Sequence, residues 1–444
     1  MSESRDAEVE VAHLGRMGDG VVAAHRGEPV YVRGALPGEL VRIGPPVRDK
    51  RIVRASLREV LRPSPARRAP PCSVVDRCGG CPLAHLAREA QLDAKVAWLT
   101  ESLRAQGIAI EAQAIERDAP SPGAGYRTRA RLAWEPAGTG AALGYRVARG
   151  HDVVVPARCE VLAPRLEAAR DRITRALARA LAGAGELHLA LSSAGEATEG
   201  VVAGITSESA QPTAVFDAVT KLVAEGTLLG ASVQVGGATV PTSYGAPVER
   251  SRDVDGRELA ARVGSFRQAH VAAAHVLGRR VVDWARVEGE DVVELYAGHG
   301  HFSLALAARA RSLVAVEREP DAVRALRDNA AAHGLHLEAH AEDAASALSA
   351  LVRRRARAGV VVLDPPRVGA ADAIASIVAL GPSRVVYVAC DAASFARDAG
   401  TLARAGLWLT RLCVADLFPD TLHIELVGLL ERDRRALAAP RPGA

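Results

Sequence analysis

The chain has 444 residues, which is enough for two to four domains, and 49% of its residues are hydrophobic while 24% are charged. This composition is close to the globular average and excludes a mostly disordered chain or a collagen-like repeat. The formal net charge is +4, and the positive residues are almost all arginine, since lysine occurs only at Lys50, Lys95 and Lys221. The charge is compatible with a polyanionic partner but does not identify one.

The chain starts with polar and acidic residues, and it contains no uncharged apolar run of about 18 residues that could form a membrane helix. We therefore expect a cytoplasmic protein that does not associate with a membrane. The six cysteines are Cys72, Cys78, Cys81, Cys159, Cys390 and Cys413. In a reducing compartment a clustered set points to a metal or cofactor before disulfides.

The N-terminal region alternates short apolar runs with Gly and Pro turns, which predicts a small five-stranded all-β barrel of the OB type. The predicted strands are 9–13, 18–23, 29–32, 40–43 and 52–60. The last strand pair carries Arg48, Lys50, Arg51, Arg54 and Arg58, so one face is basic. This face is either a platform for an oligonucleotide or a solvated surface with no partner.

The region after the barrel begins with a Pro- and Arg-rich link, 62–71. Apolar positions at helical spacing then predict helices over 83–106 and 161–181, with a basic stretch, 126–131, between them. We expect a mixed α+β central domain here.

From residue 265 apolar strands alternate with helices, which predicts a largely parallel, doubly covered sheet. The predicted strands are 291–296, 313–317, 360–364, 384–389, 408–414 and 423–430, the last two as an antiparallel pair. The predicted domains are therefore 1–62, 63–262 and 263–434, followed by a flexible tail, 435–444.

A glycine-rich turn follows the first strand of this sheet and includes Gly298 and Gly300. Glycines at such a turn let backbone N–H groups approach a ligand, and Glu317 ends the next strand, where an acid can bind the ribose of a nucleoside. The third glycine of dinucleotide folds is missing and Glu294 lies inside the strand, which favours S-adenosylmethionine over a dinucleotide. The alternative is a tight turn with an ordinary surface glutamate.

Three further groups carry chemistry. Asp364 precedes two prolines at the end of a strand, and Cys390 follows another strand, so both are expected at the same crevice. Glu425 lies in an otherwise apolar run, which makes it either an edge residue or functional. A thiol, a base and a sulfonium methyl donor suit methylation at C5 of a pyrimidine: the thiolate adds to C6, C5 takes the methyl group, and the base removes the C5 proton. The alternatives are that Asp364 and the two prolines after it only terminate a strand, and that Cys390 is an inert buried thiol.

These motifs resemble the RNA 5-methyluridine methyltransferases, specifically members with an N-terminal TRAM barrel and an iron–sulfur cluster. The resemblance spans nearly the whole chain. It depends on Cys72-x5-Cys78-Gly-Gly-Cys81 with Cys159, Tyr126-Arg-Thr-Arg129, Phe266-Arg-Gln268, the glycine-rich turn, Asp364-Pro-Pro-Arg367, Tyr387-Val-Ala-Cys390 with Arg397-Asp398, and Phe418-Pro-x-Thr-x-His-x-Glu425.

The resemblance implies a Rossmann-like methyltransferase domain with Cys390 as the nucleophile and Glu425 as the base. It also implies a set of residues that contact the cofactor S-adenosylmethionine or lie beside the target base. These residues are Gln268, Tyr296, Gly298, Gly300, His301, Glu317, Asp343 and Asp364. It also implies a 4Fe-4S cluster on Cys72, Cys78, Cys81 and Cys159, whereas spacing alone favours structural zinc.

The chain departs from the family pattern at three positions. Asp391 follows the nucleophile where the family usually has Asn, and a neighbouring carboxylate disfavours the thiolate unless its side chain points away. His301 and His270 also replace asparagines, so cofactor contacts there can differ. Cys413 is expected to be a free core thiol.

The expected activity is S-adenosylmethionine-dependent formation of 5-methyluridine in structured RNA, with ribosomal RNA favoured over transfer RNA, by a monomer. The target base must leave its stack. Candidate RNA contacts are Phe266 for stacking and Arg127, Arg131, Arg51 and Arg54 for phosphates, against the alternatives of a core phenylalanine and solvated arginines. Rival hypotheses are a catalytically silent RNA-binding or ribosome-assembly factor, for which Asp391 is the best support, and a redox sensor.

Overall fold

The computed structural model describes residues 6–25, 28–50, 52–118, 123–193 and 199–432. The chain forms two compact units. The first comprises Met1–Trp98, Val147–Gly150 and Phe418–His423, and the second Leu99–Arg146, His151–Leu417 and Ile424–Ala444. The predicted tail and Arg51 lie outside the described residues, and the boundaries predicted at 62 and 262 remain predictions.

The first unit contains a seven-stranded sheet, which confirms an all-β N-terminal half-barrel. Its strands are β1 (Ala7–Leu14), β2 (Asp19–His25), β3 (Glu28–Arg33), β4 (Leu40–Ile43), β5 (Val47–Asp49), β6 (Ile52–Ala55) and β7 (Leu57–Arg62), in the order β5-β6-β3-β2-β1-β4-β7. Apolar side chains such as Val11, Val32 and Val41 alternate with exposed ones and form its core. The sequence predicts five strands because β5 is entirely exposed and carries no apolar alternation, and because the nearly continuous segment 52–60 indicates one strand where the structure has β6 and β7.

One long helix and one short strand follow. Helix α1 (Arg88–Ala105) begins later than predicted because 83–86 form a turn, in which Leu86 N donates to Leu83 O. The buried Gln91 side chain then donates to the carbonyls of Leu83 and Leu86. After a single 3-10 turn (Ala112–Ala114) comes strand β8 (Glu116–Asp118).

The second unit contains a seven-stranded sheet with an apolar core between it and two helices. Its elements are β9 (Arg129–Ala137), β10 (Gly140–Arg146), β11 (Val153–Val154), α2 (Pro164–Leu177), β12 (Gly185–Ser192), β13 (Gly200–Ser207), α3 (Thr213–Ala224), β14 (Gly230–Val235) and β15 (Thr242–Gly245). A hairpin of β16 (Val248–Arg252) and β17 (Glu258–Arg262) follows.

The second unit also contains an eight-stranded sheet, in the order β20-β19-β18-β21-β22-β24-β23-β8. Its elements after β8 are α4 (Val271–Ala285), β18 (Asp291–Leu295), α5 (Ser303–Ala307), β19 (Ser312–Glu317), α6 (Pro320–Ala332), β20 (Glu338–Ala341), α7 (Ala344–Arg353), β21 (Val360–Leu363), α8 (Ile374–Leu380), β22 (Arg384–Ala389), α9 (Ala392–Arg404), β23 (Trp408–Ala415) and β24 (Glu425–Glu431).

This sheet confirms the predicted parallel strands and the final antiparallel pair. The chain runs outward from β18 to β20 and then returns to β21 on the other side of β18, so the order reverses between β18 and β21. In open α/β sheets ligands bind beside such a switch point, at the carboxyl ends of the strands. Within the described residues, no helix is both long and apolar enough to cross a membrane.

Candidate active site

The glycine-rich turn lies at the switch point, directly after β18. Tyr296 and Gly298 both have a positive φ, 61° and 57°, and Gly300 has φ 107°. A Cβ atom at Gly300 would lie 2.8 Å from the methyl groups of Leu304 and Leu326, so the turn packs too closely for any side chain there.

Glu317 holds this turn from the end of β19. One carboxylate oxygen accepts the Gly298 N–H at 3.0 Å and the other accepts the Glu319 N–H at 2.9 Å. The sequence placed Glu317 at the ribose of a nucleoside. Its carboxylate is therefore at the turn, and its orientation is fixed by two backbone donors.

Three carboxyl groups meet below the turn. Glu294 is 1% exposed, and burial together with the nearby Asp364 and Glu317 raises its pKa to about 8. Burial also raises the pKa of Asp364 to about 7. Near neutral pH, Glu294 is therefore mostly protonated and Asp364 is poised between its two forms.

The two histidines that replace asparagines have different roles: His301 is neutral, and His270 caps a helix. Burial lowers the pKa of His301 to about 4, and its Nε2 atom lies 3.4 Å from the Ala274 carbonyl. His270 Nδ1 accepts the Ala273 N–H at 3.3 Å and caps α4, which is a role that Asn commonly fills.

The remaining predicted cofactor residues occupy loops. Asp343 caps α7 by accepting the N–H groups of Ala345 and Ser346. Burial and nearby carboxylates, Asp343 among them, raise the pKa of Tyr296 to about 12. Gln268 is partly buried in the segment between β17 and α4.

Cys390 and Glu425 converge on one end of the sheet. Strands β22 and β24 are antiparallel with Ala389 opposite Leu426, so one further step in the register brings Cys390 opposite Glu425. Burial, followed by the carboxylates of Glu425 and Asp364, raises the pKa of Cys390 to about 11. The Arg367 guanidinium opposes this shift. The thiol, the buried Glu425 and Asp364 thus form one cluster, as a shared catalytic site requires.

Asp391 does not face the thiol in the way that its position in the sequence suggests. Its Oδ1 atom accepts the N–H groups of Ala393 and Ser394, at 3.0 and 2.8 Å, and so caps α9. Among the groups that raise the pKa of Cys390, its contribution ranks behind those of Glu425 and Asp364. The carboxylate is directed at the helix N-terminus, where a negative charge is favoured.

Phe266 is 79% exposed, which rules out the core-phenylalanine alternative. The backbone around it is held by Arg129, which donates to the carbonyls of Ser265 and Arg267. The buried Glu249 pairs with Arg129 at 3.1 Å and with Arg267 at 3.3 Å. The motif that contains Arg129 does not predict this supporting role, since no local signal links residues so far apart in the chain.

The candidate phosphate contacts already have protein partners. Arg131 makes a salt bridge to Glu186 and remains 67% exposed, and Arg54 pairs with Asp19 at 3.0 Å. Arg127 Nε donates to the Arg129 carbonyl at 3.2 Å. These arginines remain predicted RNA contacts.

The four predicted cluster ligands, all within the described residues, are not joined by disulfides. Burial and the neighbouring Cys72 raise the pKa of Cys78, whose Sγ accepts the Gly80 N–H at 3.4 Å. Four thiolates are a suitable donor set for iron–sulfur or zinc. In the part of the chain that the structure describes, however, no three His, Cys, Asp or Glu side chains are grouped to hold a metal ion, so the structure gives the cluster no support. Cys413 is buried, and its Sγ donates to Asp118 at 3.3 Å, as expected of a core thiol.

Known proteins share this architecture. The family model described as tRNA (Uracil-5-)-methyltransferase matches residues 246–433. Proteins named 23S rRNA (uracil(1939)-C(5))-methyltransferase RlmD from Alkalilimnicola ehrlichii and Salmonella paratyphi A are 34% and 33% identical to this chain, each over 96% of both chains. The crystal structure of Pyrococcus abyssi tRNA (uracil-54, C5)-methyltransferase in complex with S-adenosyl-L-homocysteine has a TM-score of 0.74 and 22% identity, covering 96% of this chain and 100% of that chain, which supports the fold. Identity of this extent along nearly the whole chain shows that the protein belongs to the RNA 5-methyluridine methyltransferase family.

Proposed function

We propose that this protein methylates C5 of a uridine in structured RNA, with S-adenosylmethionine as the methyl donor. The observation that carries the proposal is the convergence of Cys390 and Glu425 across β22 and β24, beside Asp364 and the glycine-rich turn. A partly buried thiol opposite a buried carboxylate supplies both the nucleophile and the base that this reaction needs.

The residues around the switch point suit the cofactor. Bound S-adenosylmethionine supplies an electrophilic methyl group. The turn with Gly298 and Gly300 and the oriented Glu317 carboxylate would hold its adenosyl part, with Tyr296, Asp343, Gln268 and His301 around it. Asp364 and Glu294 provide negative charge when ionised, which favours a cationic sulfonium.

Each step at the pyrimidine has a residue. Cys390 must lose its proton to solvent, so that the opposite Glu425 carboxylate stays unprotonated for the later step. The sulfur then bonds to C6 of uracil, and the negative charge passes into the ring and makes C5 nucleophilic. After C5 has taken up the methyl group, Glu425 removes the C5 proton and the S–C6 bond breaks. The double bond between C5 and C6 is restored, and the thiolate is released.

The substrate is proposed from the relatives. Two RlmD proteins are named for a uracil in 23S ribosomal RNA, and they share about a third of their residues with this chain. Ribosomal RNA is therefore favoured over transfer RNA. The exposed Phe266 supports stacking on an unpaired or extruded base.

Labelled cofactor and transcribed ribosomal and transfer RNA test this proposal. We expect label at C5 of a uridine in ribosomal RNA, whereas label in cytidine or adenosine would refute the uridine assignment. RNA with 5-fluorouridine at the target should form a covalent adduct with the wild type and none with Cys390→Ala. A silent RNA-binding factor would form no adduct. The engagement of Asp391 at α9 weakens the physical reason for that alternative, since its carboxylate acts on the thiol less than Glu425 and Asp364 do.

We further propose that Cys72, Cys78, Cys81 and Cys159 take up a 4Fe-4S cluster. The resemblance and the four-thiolate donor set support it, and no step above uses the cluster. Anaerobically purified protein is expected to be brown and to contain iron and acid-labile sulfide. Colourless protein with one zinc per chain would show the zinc alternative instead.

A further inference from the structure

The segment after Asp364, residues 365–370, is fastened to helix α9 at two points, and we call it the proline loop. Arg397 Nη2 donates to the Val368 carbonyl at 2.8 Å. The Ala370 N–H donates to Asp398 Oδ2 at 2.7 Å. Since the loop carries Arg367, the position of that guanidinium depends on α9.

Asp398 is the centre of this attachment. Its carboxylate is 1% exposed and also accepts Tyr387 Oη at 2.7 Å and Arg397 Nε at 2.8 Å. Burial and the Asp398 carboxylate keep the pKa of Tyr387 far above its ordinary value, so its hydroxyl remains a donor. One buried carboxylate therefore joins the proline loop, α9 and β22, and Cys390 lies between the last two.

Gly369 shows how closely these parts pack. It has a positive φ of 79°, and a Cβ atom there would lie 2.5 Å from both Arg397 Nη2 and Asp398 Oδ2. A side chain at this position would push the loop away from α9. The loop is thus held by packing as well as by hydrogen bonds.

The proline loop affects the nucleophile through charge. Among the groups that act on Cys390, the carboxylates of Glu425, Asp364 and Asp391 disfavour the thiolate, and Arg367 favours it. Such an interaction weakens with distance, so a loop that moves outward takes the favourable charge with it.

We propose that Asp398 is a positioning residue: through Tyr387 and Ala370 it fixes the proline loop so that Arg367 stands beside the Cys390 thiol during addition to C6. This inference rests on the proposed function, because it assigns the attachment to the adduct-forming step. The role is distinct from that of a catalytic residue, since the Asp398 carboxylate is engaged by Ala370, Tyr387 and Arg397 and acts on the thiol through the loop.

The rate of adduct formation with 5-fluorouridine RNA, at saturating cofactor, tests the proposal. Misplacement by about 1 Å can cost about a hundredfold in rate, so we expect Asp398→Ala to slow the adduct roughly tenfold to hundredfold, with the KM for S-adenosylmethionine unchanged. Asp398→Asn keeps an acceptor for Tyr387 and Ala370 and is expected to retain most of the rate. Gly369→Ala should act like Asp398→Ala. Gly381→Ala is the matched control, because Gly381 also has a positive φ, 74°, and a Cβ there meets Arg357 at 2.8 Å, away from the loop.

The double variant distinguishes positioning from simple support of the fold. If Asp398 acts through Arg367, adding Asp398→Ala to Arg367→Ala slows the adduct by no more than about twofold further. Full multiplication of the two effects would overturn the proposal. Should Asp398→Ala fail to fold, Tyr387→Phe removes one hydroxyl only, and a wild-type rate for it would equally overturn the proposal. An adduct absent from the wild type would refute the proposed function, whereas a wild-type adduct with multiplying effects refutes only the role of Asp398.

Discussion

Replacement of Glu425 by Gln is expected to accelerate chemical alkylation of Cys390 while abolishing methylation. Burial raises the pKa of the thiol to about 11, and Glu425 is the largest contributor among the charged neighbours. At pH 8 such a thiol is ionised to about 0.1%, and the ionised fraction grows about tenfold per pH unit up to the pKa. Since the thiolate is the reactive form, iodoacetamide should modify Cys390 slowly in the RNA-free protein.

The size of the effect follows from the geometry. Glu425 lies opposite Cys390 in a buried strand pair, where a like charge shifts a pKa by roughly one unit or more. Glu425→Gln removes that charge, so the alkylation rate at pH 8 should rise by about tenfold. Methylation should nevertheless be lost, because the C5 proton then has no acceptor.

Mass spectrometry of the peptide that contains Cys390 gives the alkylation rate of this thiol separately from the other cysteines. Glu431→Gln is the control, since Glu431 lies at the other end of β24, opposite Arg384, and its removal should leave the rate unchanged. A slower or unchanged rate in Glu425→Gln, or a rate that is flat between pH 7 and pH 9, would refute the reasoning.

Three further predictions follow from single contacts. The pKa of Glu294 is raised from 4.5 to about 8, so the folded state keeps a proton that the unfolded state loses between these pH values. The free energy of unfolding therefore falls as the pH rises from 4.5 to 8. Glu294→Gln should raise the urea midpoint at pH 8 and change it little at pH 4.5. Gly300→Ala places a Cβ 2.8 Å from Leu304 and Leu326 at a φ of 107°. It should lower the free energy of unfolding, measured by urea titration, by roughly 1–3 kcal/mol, and an unchanged midpoint would contradict the packing. Phe266→Ala should leave the thermal midpoint unchanged, because the ring is 79% exposed, and should weaken binding of a single-stranded RNA in a filter assay by about 1–3 kcal/mol; equal binding would exclude stacking.

The strands that position the site were predictable because they are apolar runs bounded by turn residues. The same argument brought Cys390 and Asp364 to one edge of the sheet, and the short connection between the last two strands predicted their antiparallel pairing. The pairing of β24 with β22, which places Glu425 opposite the thiol, was not predicted, because these strands are not consecutive in the chain. Local periodicity and the rules of parallel sheets were sufficient for the strands and for the positions of Cys390 and Asp364.

Side-chain direction and contacts between residues far apart in the chain could not be predicted from the sequence. Asp391 is next to the nucleophile in the chain, yet its carboxylate turns to the amides of α9, which depends on its rotamer and not on its position. Asp398 was visible only as part of a motif, because its three donors come from three elements. The thiols of the predicted cluster were likewise assigned from the family resemblance, which does not determine whether the side chains meet.

Strand β8 makes the catalytic sheet dependent on residues far earlier in the chain. It runs parallel to β23 and covers the edge of the sheet, with Cys413 opposite Glu116. Arg280 makes ion pairs with Glu116 and Asp118, and its guanidinium also lies 5.3 Å from the centre of the Trp284 ring. A protein truncated to begin at residue 263 would keep the proposed nucleophile, the proposed base and the glycine-rich turn. It would, however, expose a bare strand edge and lose the acidic partners of Arg280. The catalytic portion is therefore not a transferable module, and a fragment that begins at residue 263 is expected to be prone to edge-to-edge aggregation.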